Sequence, residues 1–126
     1  MEDMQDIEKA IVEQKEWSAR YKMLEPLCYT DGELLIRPVA SREELAKESK
    51  ALNHCAICYE DLVKSGRMHI LFIRKASDPE TPYFTLSISF RYGDGLVTYR
   101  GYNNEPPTIK IKEFVAKWFA EKVIPQ

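Results

Sequence analysis

Long apolar runs, an export signal and an excess of either charge are all missing from this sequence. No apolar segment approaches the roughly 18 residues that a membrane-spanning helix needs. The acidic start, MEDMQDIEKA, lacks the basic and apolar regions of a signal peptide. We therefore expect a cytoplasmic protein with no membrane partner. The 18 Lys and Arg against 20 Asp and Glu give a formal net charge of −2, so nucleic acid stays open as a partner only through a local patch of arginines.

Cysteines and the well-known catalytic motifs are also scarce. Three cysteines, an odd number without an export signal, are typical of free thiols rather than of a disulfide framework. The sequence contains no glycine-rich dinucleotide fingerprint, no phosphate-loop lysine, no HExxH and no GxSxG. These absences exclude the commonest signatures of nucleotide enzymes, metalloproteases and serine hydrolases, and we expect no cofactor.

A length of 126 residues is typical of a single hydrophobic core and predicts one domain over residues 1–126. Apolar residues at three- and four-residue spacings predict a long helix over 3–24 and a C-terminal helix over 109–123. The face of the second helix holds Ile111, Phe114, Val115, Trp118 and Phe119. Ser41 followed by Glu44 has the pattern of a capping box and predicts a short helix that ends near residue 50.

The strand segments predict an antiparallel meander. Strands are expected over 34–39, 68–74, 83–91 and 96–100, the last two joined by a turn at Gly93-Asp94-Gly95. Pro38 predicts that the first of these strands lies at an edge. Since helices, then strands, then a helix follow one another, the sequence favours an α+β fold over a parallel doubly wound sheet.

The stretch NHCAICYEDLVKSG, residues 53–66, holds one of the two histidines and two of the three cysteines. Asn53 is a residue type that caps helix N-termini and Gly66 one that follows helix C-termini, so the stretch predicts a single helix. Cys55 then lies in the first turn, where free N–H groups and the helix dipole favour a thiolate. This placement makes Cys55 the best nucleophile candidate, with His54 as its base.

A core position is the competing interpretation of Cys55, and we favour it. Cys55, Tyr59 and Leu62 recur at i, i+4 and i+7, the spacing of a helix face that packs against a core. Free cysteine is among the most buried residue types. No third residue that would orient a His–Cys pair is evident, because the other histidine, His69, lies in an apolar strand. We therefore expect slow alkylation of Cys55 in the folded protein.

Metal and redox sites are weaker interpretations of the same residues. Cys55 and Cys58 form a CxxC pair beside His54, but structural zinc normally takes four ligands, and only Cys28 and His69 remain as distant singletons. We expect no metal. A thioredoxin-like role needs a βαβ context that the predicted order of elements lacks.

Arginines at the ends of two predicted strands form a second candidate site. Arg74 and Arg100 can lie close together in an antiparallel sheet, and the loop with Asn103 and Asn104 follows directly. Guanidinium groups suit an anion such as a phosphate backbone, an acidic segment of a partner or the carboxylates of another subunit. The alternative is that both arginines pair with carboxylates of the chain and that the asparagines only shape a turn.

Four short motifs follow one another along the chain. They are His54-Cys55 with Tyr59, then Ile73-Arg74, then Thr85-Leu86-Ser87-Ile88, then Arg100-Gly101 with Asn104. In order and spacing they resemble the PcfJ-like family of conjugative plasmids and phages, whose pattern is HCVGxY, IR, TLEI and RGxxN. The resemblance covers residues 34–118 and leaves 1–30 as an N-terminal helical extension.

The departures from the family pattern bear on activity. Ser49 replaces a usual glycine, Ile57 replaces a small residue, and Ser87 replaces the acidic residue of TLEI. If the family has a chemical centre built on that carboxylate, this chain lacks it. The resemblance therefore favours a binding protein over an enzyme.

Two function classes follow from the residues and the resemblance. The first is a non-enzymatic interaction protein of a mobile element with a protein partner. The residues expected to bind this partner are Tyr59, Arg74, Arg100, Asn103 and Asn104. A specific form is an inhibitor of a host defence effector such as a CRISPR nuclease. The alternative is a small hydrolase or transferase with Cys55 as nucleophile and His54 as base, in which the arginines hold an anionic or nucleotide substrate. The sequence leaves the oligomeric state open.

Overall fold

A computed structural model of the protein describes residues 4–89 and 96–123. The elements are, in chain order, helix α1 Met4–Leu24, strands β1 Tyr29–Thr30 and β2 Leu34–Pro38, helices α2 Arg42–Ala51 and α3 Glu60–Lys64, strands β3 Met68–Lys75, β4 Phe84–Ser89 and β5 Leu96–Arg100, and helix α4 Ile109–Trp118. Single 3-10 turns cover Glu25–Leu27, Ala56–Tyr59 and Tyr102–Asn104, and a π-helical turn, Phe119–Val123, follows α4. None of the described helices has the length and apolar character needed to cross a bilayer.

The strands form one antiparallel sheet in the order β1-β2-β3-β4-β5. The central strand β3 pairs with β2 on one side and with β4 on the other. The predicted α+β fold with an antiparallel meander is therefore confirmed. The predicted turn at Gly93-Asp94-Gly95 lies outside the described residues.

Alternation of side chains along the strands divides the core into two clusters, one on each face of the sheet. On one face, strand residues such as Leu71 and Ile73 pack against α4. The helix residues buried there are Ile111, Phe114, Val115 and Trp118, with Phe119 partly buried beside them, as the periodicity predicts. On the other face, Ile70 and Phe72 pack against residues from α1, α2 and α3, among them Trp17, Leu45 and Val63.

Helix α2 begins where the capping pattern predicts. The Ser41 Oγ accepts a hydrogen bond from the N–H of Glu44 at 3.1 Å. The Glu44 carboxylate accepts from the N–H of Ala40 and from both terminal nitrogens of Arg37, the latter at 2.8 Å, instead of completing the box at Ser41. The start of α2 is thereby anchored to the end of β2.

The single helix predicted over 53–66 is wrong. Leu52 is the C-cap of α2, and Asn53 follows it with φ 50°, the left-handed conformation that ends many helices. The chain resumes in a 3-10 turn and the five-residue helix α3, which stops at Gly66 with φ 79° as predicted. Asparagine suits both an N-cap and a left-handed C-terminal position, and here the helix before it decides.

The edge position predicted for the strand with Pro38 is also wrong, because β1 lies outside β2. The two-residue strand β1 pairs with Leu35 and Ile36, whereas Pro38 lies two residues further along, opposite Leu71. Proline is tolerated inside this sheet because the outer strand is too short to reach it.

Candidate functional site

A pocket lies on the face of the sheet that carries α2 and α3, at the ends of β4 and β5. Its volume is about 210 Å³. The residues that line it are His54, Cys55, Ala56, Tyr59, Ile70, Thr85, Ser87, Thr98, Arg100 and Asn104. Five residues singled out from the sequence, namely His54, Cys55, Tyr59, Arg100 and Asn104, thus share one cavity although up to 50 positions separate them in the chain.

The floor of the pocket is a polar patch on two paired strands. Thr85 lies opposite Arg100, and Ser87 lies opposite Thr98. Because alternate residues of a strand point to the same face, all four side chains belong to one side of the sheet. The hydroxyl oxygens of Ser87 and Thr98 are 2.7 Å apart, within hydrogen-bonding distance. The acidic position of the family pattern, occupied here by Ser87, therefore lies in the pocket.

His54 is held by both of its ring nitrogens. Its Nε2 lies 2.9 Å from the Thr85 hydroxyl, and its Nδ1 accepts a hydrogen bond from the N–H of Ala56 at 3.3 Å. The Thr85 hydroxyl in turn donates to the carboxylate of Glu48 at 3.1 Å. Since Thr85 has a single proton to donate, His54 is the donor in its bond to Thr85, and the neutral Nε2–H tautomer fits the site.

A buried ion pair supports this chain of hydrogen bonds from behind. Arg74 is 3% exposed and Glu48 1% exposed. The Arg74 Nη1 donates to Glu48 Oε2 at 2.8 Å, and Nη2 lies 2.7 Å from Oε1. The Arg74 guanidinium also lies 4.5 Å from the centre of the Phe72 ring. The prediction that Arg74 belongs to a contact surface is therefore wrong, because its charge is sequestered under α2.

Glu48 is, with Thr98, a residue of the site that the sequence patterns did not single out. It lies in the charged stretch REELAKESKA of α2, which is typical of a solvated helix face. Its spacing carries the signal, since Leu45, Glu48 and Leu52 recur at i, i+3 and i+7, and all three are buried. A charged residue on the apolar stripe of a helix predicts a buried partner of opposite charge, which here is Arg74.

Cys55 does not pack in the core. Both Cys55 and Cys58 are exposed, and their sulfur atoms form a disulfide, with the two Cα atoms 5.4 Å apart. The predictions of a buried Cys55 and of free thiols at both positions are wrong. The physical reason is the 3-10 turn Ala56–Tyr59, which has about three residues per turn and so places residues i and i+3 side by side. Cys28 is a free cysteine.

Tyr59 and Arg100 are two of the accessible polar residues of the pocket. Tyr59 is 46% exposed, so it does not join a core stripe with Cys55. Arg100 is exposed at the end of β5, where its Nη1 donates to the carbonyl of Tyr99 at 2.9 Å. The remaining guanidinium N–H groups are available to a ligand in the pocket.

The turn after β5 positions Asn104 through Asn103. The backbone N–H of Asn103 donates to the carbonyl of Leu52 at 2.8 Å, and the side-chain amide of Asn53 contacts that of Asn103. Asn103 and Asn104 have φ 53° and 60°, a left-handed conformation that asparagine tolerates. Asn103 thus ties the turn to the end of α2, whereas Asn104 lines the pocket.

Gly101 allows the turn to approach the core. A Cβ atom at this position would lie 2.9 Å from Cε1 and Cζ of Phe84, whose ring is buried. We predict that Gly101→Ala lowers the free energy of unfolding by about 1–3 kcal/mol, because Phe84 has to shift inside a packed core. Urea denaturation of both proteins measures the difference. A change below about 0.5 kcal/mol would show that the contact relaxes freely.

Metal binding has no obvious ligand set in this arrangement. Within residues 4–89 and 96–123, no group of three or more His, Cys, Asp or Glu side chains converges on one point. We predict that the purified protein carries no stoichiometric zinc and that a chelator leaves its melting temperature unchanged. Elemental analysis that finds one zinc per chain would contradict this prediction.

The fold and the pocket define a small α+β domain with a polar cavity on one face of an antiparallel sheet. The family model for PcfJ-like protein matches residues 3–115, and the chain belongs to this family. The match includes α1, so it begins well before the residues 34–118 over which the motifs were recognised. No curated protein and no solved structure matches the chain.

The residues that carry the family motifs converge in the structure. His54, Cys55, Tyr59, Thr85, Arg100 and Asn104 all line the pocket. Arg74 supports it through Glu48, and Gly101 allows the close turn beside it. The motifs therefore describe one site and the scaffold directly under it.

Proposed function

We propose that this domain is a non-enzymatic binding module whose pocket receives an anionic group of a protein partner. The observation that carries the proposal is the composition of the pocket: the described lining contains one arginine and no carboxylate. Although the protein has a formal net charge of −2, the exposed Arg100 lies in a concave site whose described lining holds no acidic residue. Such a site suits a carboxylate or a phosphate.

The polar groups around Arg100 favour an anion that accepts several hydrogen bonds. The hydroxyls of Tyr59 and Thr98, the amide of Asn104 and the guanidinium of Arg100 are all donors. An arginine that meets a carboxylate or phosphate with two parallel hydrogen bonds gains both energy and orientation. A partner that presents an acidic side chain or a chain terminus fits this set of donors.

Binding is favoured over catalysis by the state of the two candidate catalytic residues. Cys55 is bonded to Cys58 in this structure, so in this state it is not the free thiolate that a nucleophile requires. Both ring nitrogens of His54 already have other partners, so the imidazole is oriented toward Thr85 and Ala56. Ser87 supplies no charge at the acidic position of the family pattern. The alternative of a hydrolase or transferase built on Cys55 gains no support from this geometry.

The biological setting of the proposal comes from the family. The resemblance of the motifs implies a setting on conjugative plasmids or phages, so we infer that the partner is encoded by the host or by the mobile element. A narrower form of the proposal is inhibition of a host defence effector through the pocket. An acidic surface segment of such an effector would be the group that meets Arg100.

Comparative capture tests the proposal. Tagged wild-type protein, Arg100→Ala and the control Arg67→Ala are used to retrieve proteins from host lysate at two salt concentrations. Arg67 is exposed and does not line the pocket, so the control removes the same charge elsewhere. We expect at least one partner that wild type and Arg67→Ala retain, that Arg100→Ala loses, and that weakens with salt.

Equal capture by all three proteins would place the contact surface away from the pocket. Circular dichroism confirms that each variant is folded, and Arg100 is exposed, so its truncation should leave stability within about 0.5 kcal/mol.

A further inference from the structure

The Cys55–Cys58 pair differs from a structural disulfide in its place in the fold. Both residues are exposed, and Cys55 also lines the pocket. The bond closes a loop with only two residues between the cysteines, so it restrains the unfolded chain far less than a long-range bridge does. Exposed disulfides are generally the labile, exchangeable ones.

The turn that carries the pair is held by hydrogen bonds that do not involve sulfur. The N–H of Ile57 donates to the Ser49 hydroxyl at 2.7 Å, and the N–H of Ala56 donates to His54 Nδ1. The N–H of Cys58 donates to the carbonyl of Cys55 at 3.1 Å. These bonds keep the two sulfur atoms next to each other whether or not they are joined, which suits a bond that opens and closes.

Cys28 provides a contrast within the same chain. It is half-buried near Tyr21, and burial raises the pKa of its thiol. A thiol of raised pKa is a poor nucleophile at neutral pH. Exchange chemistry is therefore confined to the pair beside the pocket.

We propose that Cys55–Cys58 is a thiol–disulfide exchange site for a low-molecular-weight thiol that carries a carboxylate, the chemistry of glutathione. Cys55 and Arg100 line the same cavity. A ligand whose carboxylate binds Arg100 is therefore held with its sulfur close to Cys55. This inference rests on the proposed anion-binding role of the pocket.

The exchange proceeds in two balanced steps. The thiolate of the ligand attacks Sγ of Cys55, a bond forms between these two sulfur atoms, and the Cys55–Cys58 bond breaks. Cys58 leaves with the electron pair as a thiolate and takes a proton from water. A second ligand thiolate then attacks the ligand sulfur of the mixed disulfide and releases Cys55 as a thiolate. Two electrons pass from two ligand thiols to the disulfide, which becomes a dithiol.

The mixed disulfide has a direct consequence for the pocket. The ligand attached to Cys55 occupies the cavity that the proposed function assigns to the anionic group of a partner. Thiolation of Cys55 therefore excludes the partner, and release of the ligand restores the site.

The test compares three small thiols on the 126-residue chain that carries Cys28→Ser, so that every thiol detected comes from Cys55 or Cys58. Mercaptoacetate is anionic, 2-mercaptoethanol neutral and cysteamine cationic. Each thiol is added without denaturant to this Cys28→Ser parent, to the parent that also carries Arg100→Ala, and to a control that carries Arg67→Ala instead. Acid quenching followed by maleimide labelling counts the thiols released with time. The ratio of rates between variants cancels the intrinsic reactivity of each thiol.

We expect all three thiols to open the disulfide in the folded protein. Arg100→Ala should slow mercaptoacetate about three- to fivefold, the effect of an ion pair worth up to about 1 kcal/mol, and leave 2-mercaptoethanol unchanged. Arg67→Ala should leave the rate with every thiol unchanged. In a Cys58→Ser variant, the disulfide of mercaptoacetate should add one ligand at Cys55, detected by peptide mass.

Two results would overturn the inference, and they point to different faults. Resistance of the disulfide to every thiol until denaturant is added would show that it is a structural bridge, without bearing on the pocket. Exchange with all three thiols at rates that Arg100→Ala leaves unchanged would rule out the carboxylate-bearing ligand, whereas the anion-binding role of Arg100 is decided separately by whether Arg100→Ala loses partner capture.

Discussion

Replacement of Glu48 by Gln is expected to lower the free energy of unfolding by about 3–5 kcal/mol, since it leaves the charge of Arg74 buried without its partner. The substitution preserves the shape of the side chain and removes its charge. Arg74 has no route to solvent, because it is 3% exposed and lies between α2 and Phe72. The Thr85 hydroxyl also loses a carboxylate acceptor. Denaturation by urea at neutral pH measures the change.

Two further variants show whether charge is the cause. Glu33→Gln removes a carboxylate from an exposed ion pair with Lys110, and we expect a change of less than about 1 kcal/mol. Replacement of both Glu48 and Arg74 by Leu removes the unpaired charge as well, and should cost less than Glu48→Gln alone. If Glu48→Gln and Glu33→Gln have the same small effect, the pair contributes nothing to the scaffold of the pocket.

Truncation of Trp118 should be equally damaging on the other face of the sheet. Trp118 is fully buried in the cluster that joins α4 to the strands, and its Nε1 donates to the carbonyl of Leu27 at 2.7 Å. Trp118→Ala leaves a large cavity and an unpaired carbonyl, so we expect a loss of about 3–5 kcal/mol. Thermal or urea denaturation is again the measurement.

Trp118→Phe separates the two contributions. It keeps a six-membered aromatic ring in the cluster and removes the N–H donor to Leu27 together with the second ring of the indole, so the loss should be smaller, about 1–3 kcal/mol. A loss as large as that of Trp118→Ala would mean that the hydrogen bond, and not the packing, holds α4 in place.

The regular elements of the fold could be predicted because their residue patterns report local physics. The spacing of Ile111, Phe114 and Trp118 predicts one buried helix face, and these residues are buried. Ser41 predicts the start of α2, because its hydroxyl accepts a hydrogen bond from the N–H of Glu44, which has no partner inside the first turn of the helix. The apolar run of β3 and the alternation along β4 likewise predict two strands, and these strands pair in the sheet.

The region after α2 could not be predicted in the same way. Asn53 suits the start of a helix as well as the position after one, and the choice depends on where α2 stops. That error propagates to Cys55, because the helix it implied would have turned Cys55, Tyr59 and Leu62 inward. The 3-10 turn instead leaves Cys55 at the surface beside Cys58.

The sequence predicted some residues of the candidate site correctly and misplaced Arg74. His54, Arg100 and Asn104 stand out by chemistry, and the antiparallel order of strands brings them together. Arg74 has the same side chain as Arg100, but Arg74 is buried and Arg100 is exposed. The pairing of Arg74 with Glu48, 26 positions away, separates a scaffold arginine from a binding one. The spacing of Glu48 on the apolar stripe of α2 predicts a buried cation, but it does not tell which arginine supplies it.

The central claim is that Arg100 and its neighbours bind an anionic group. Titration of the 126-residue chain with inorganic phosphate and with acetate, followed through its backbone amide resonances, tests anion binding. We expect saturable shifts concentrated at Tyr59, Thr98 and Asn104, which are lost in Arg100→Ala and kept in Arg67→Ala. If neither anion shifts these resonances, or if the same shifts persist in Arg100→Ala, the pocket is not an anion-binding site.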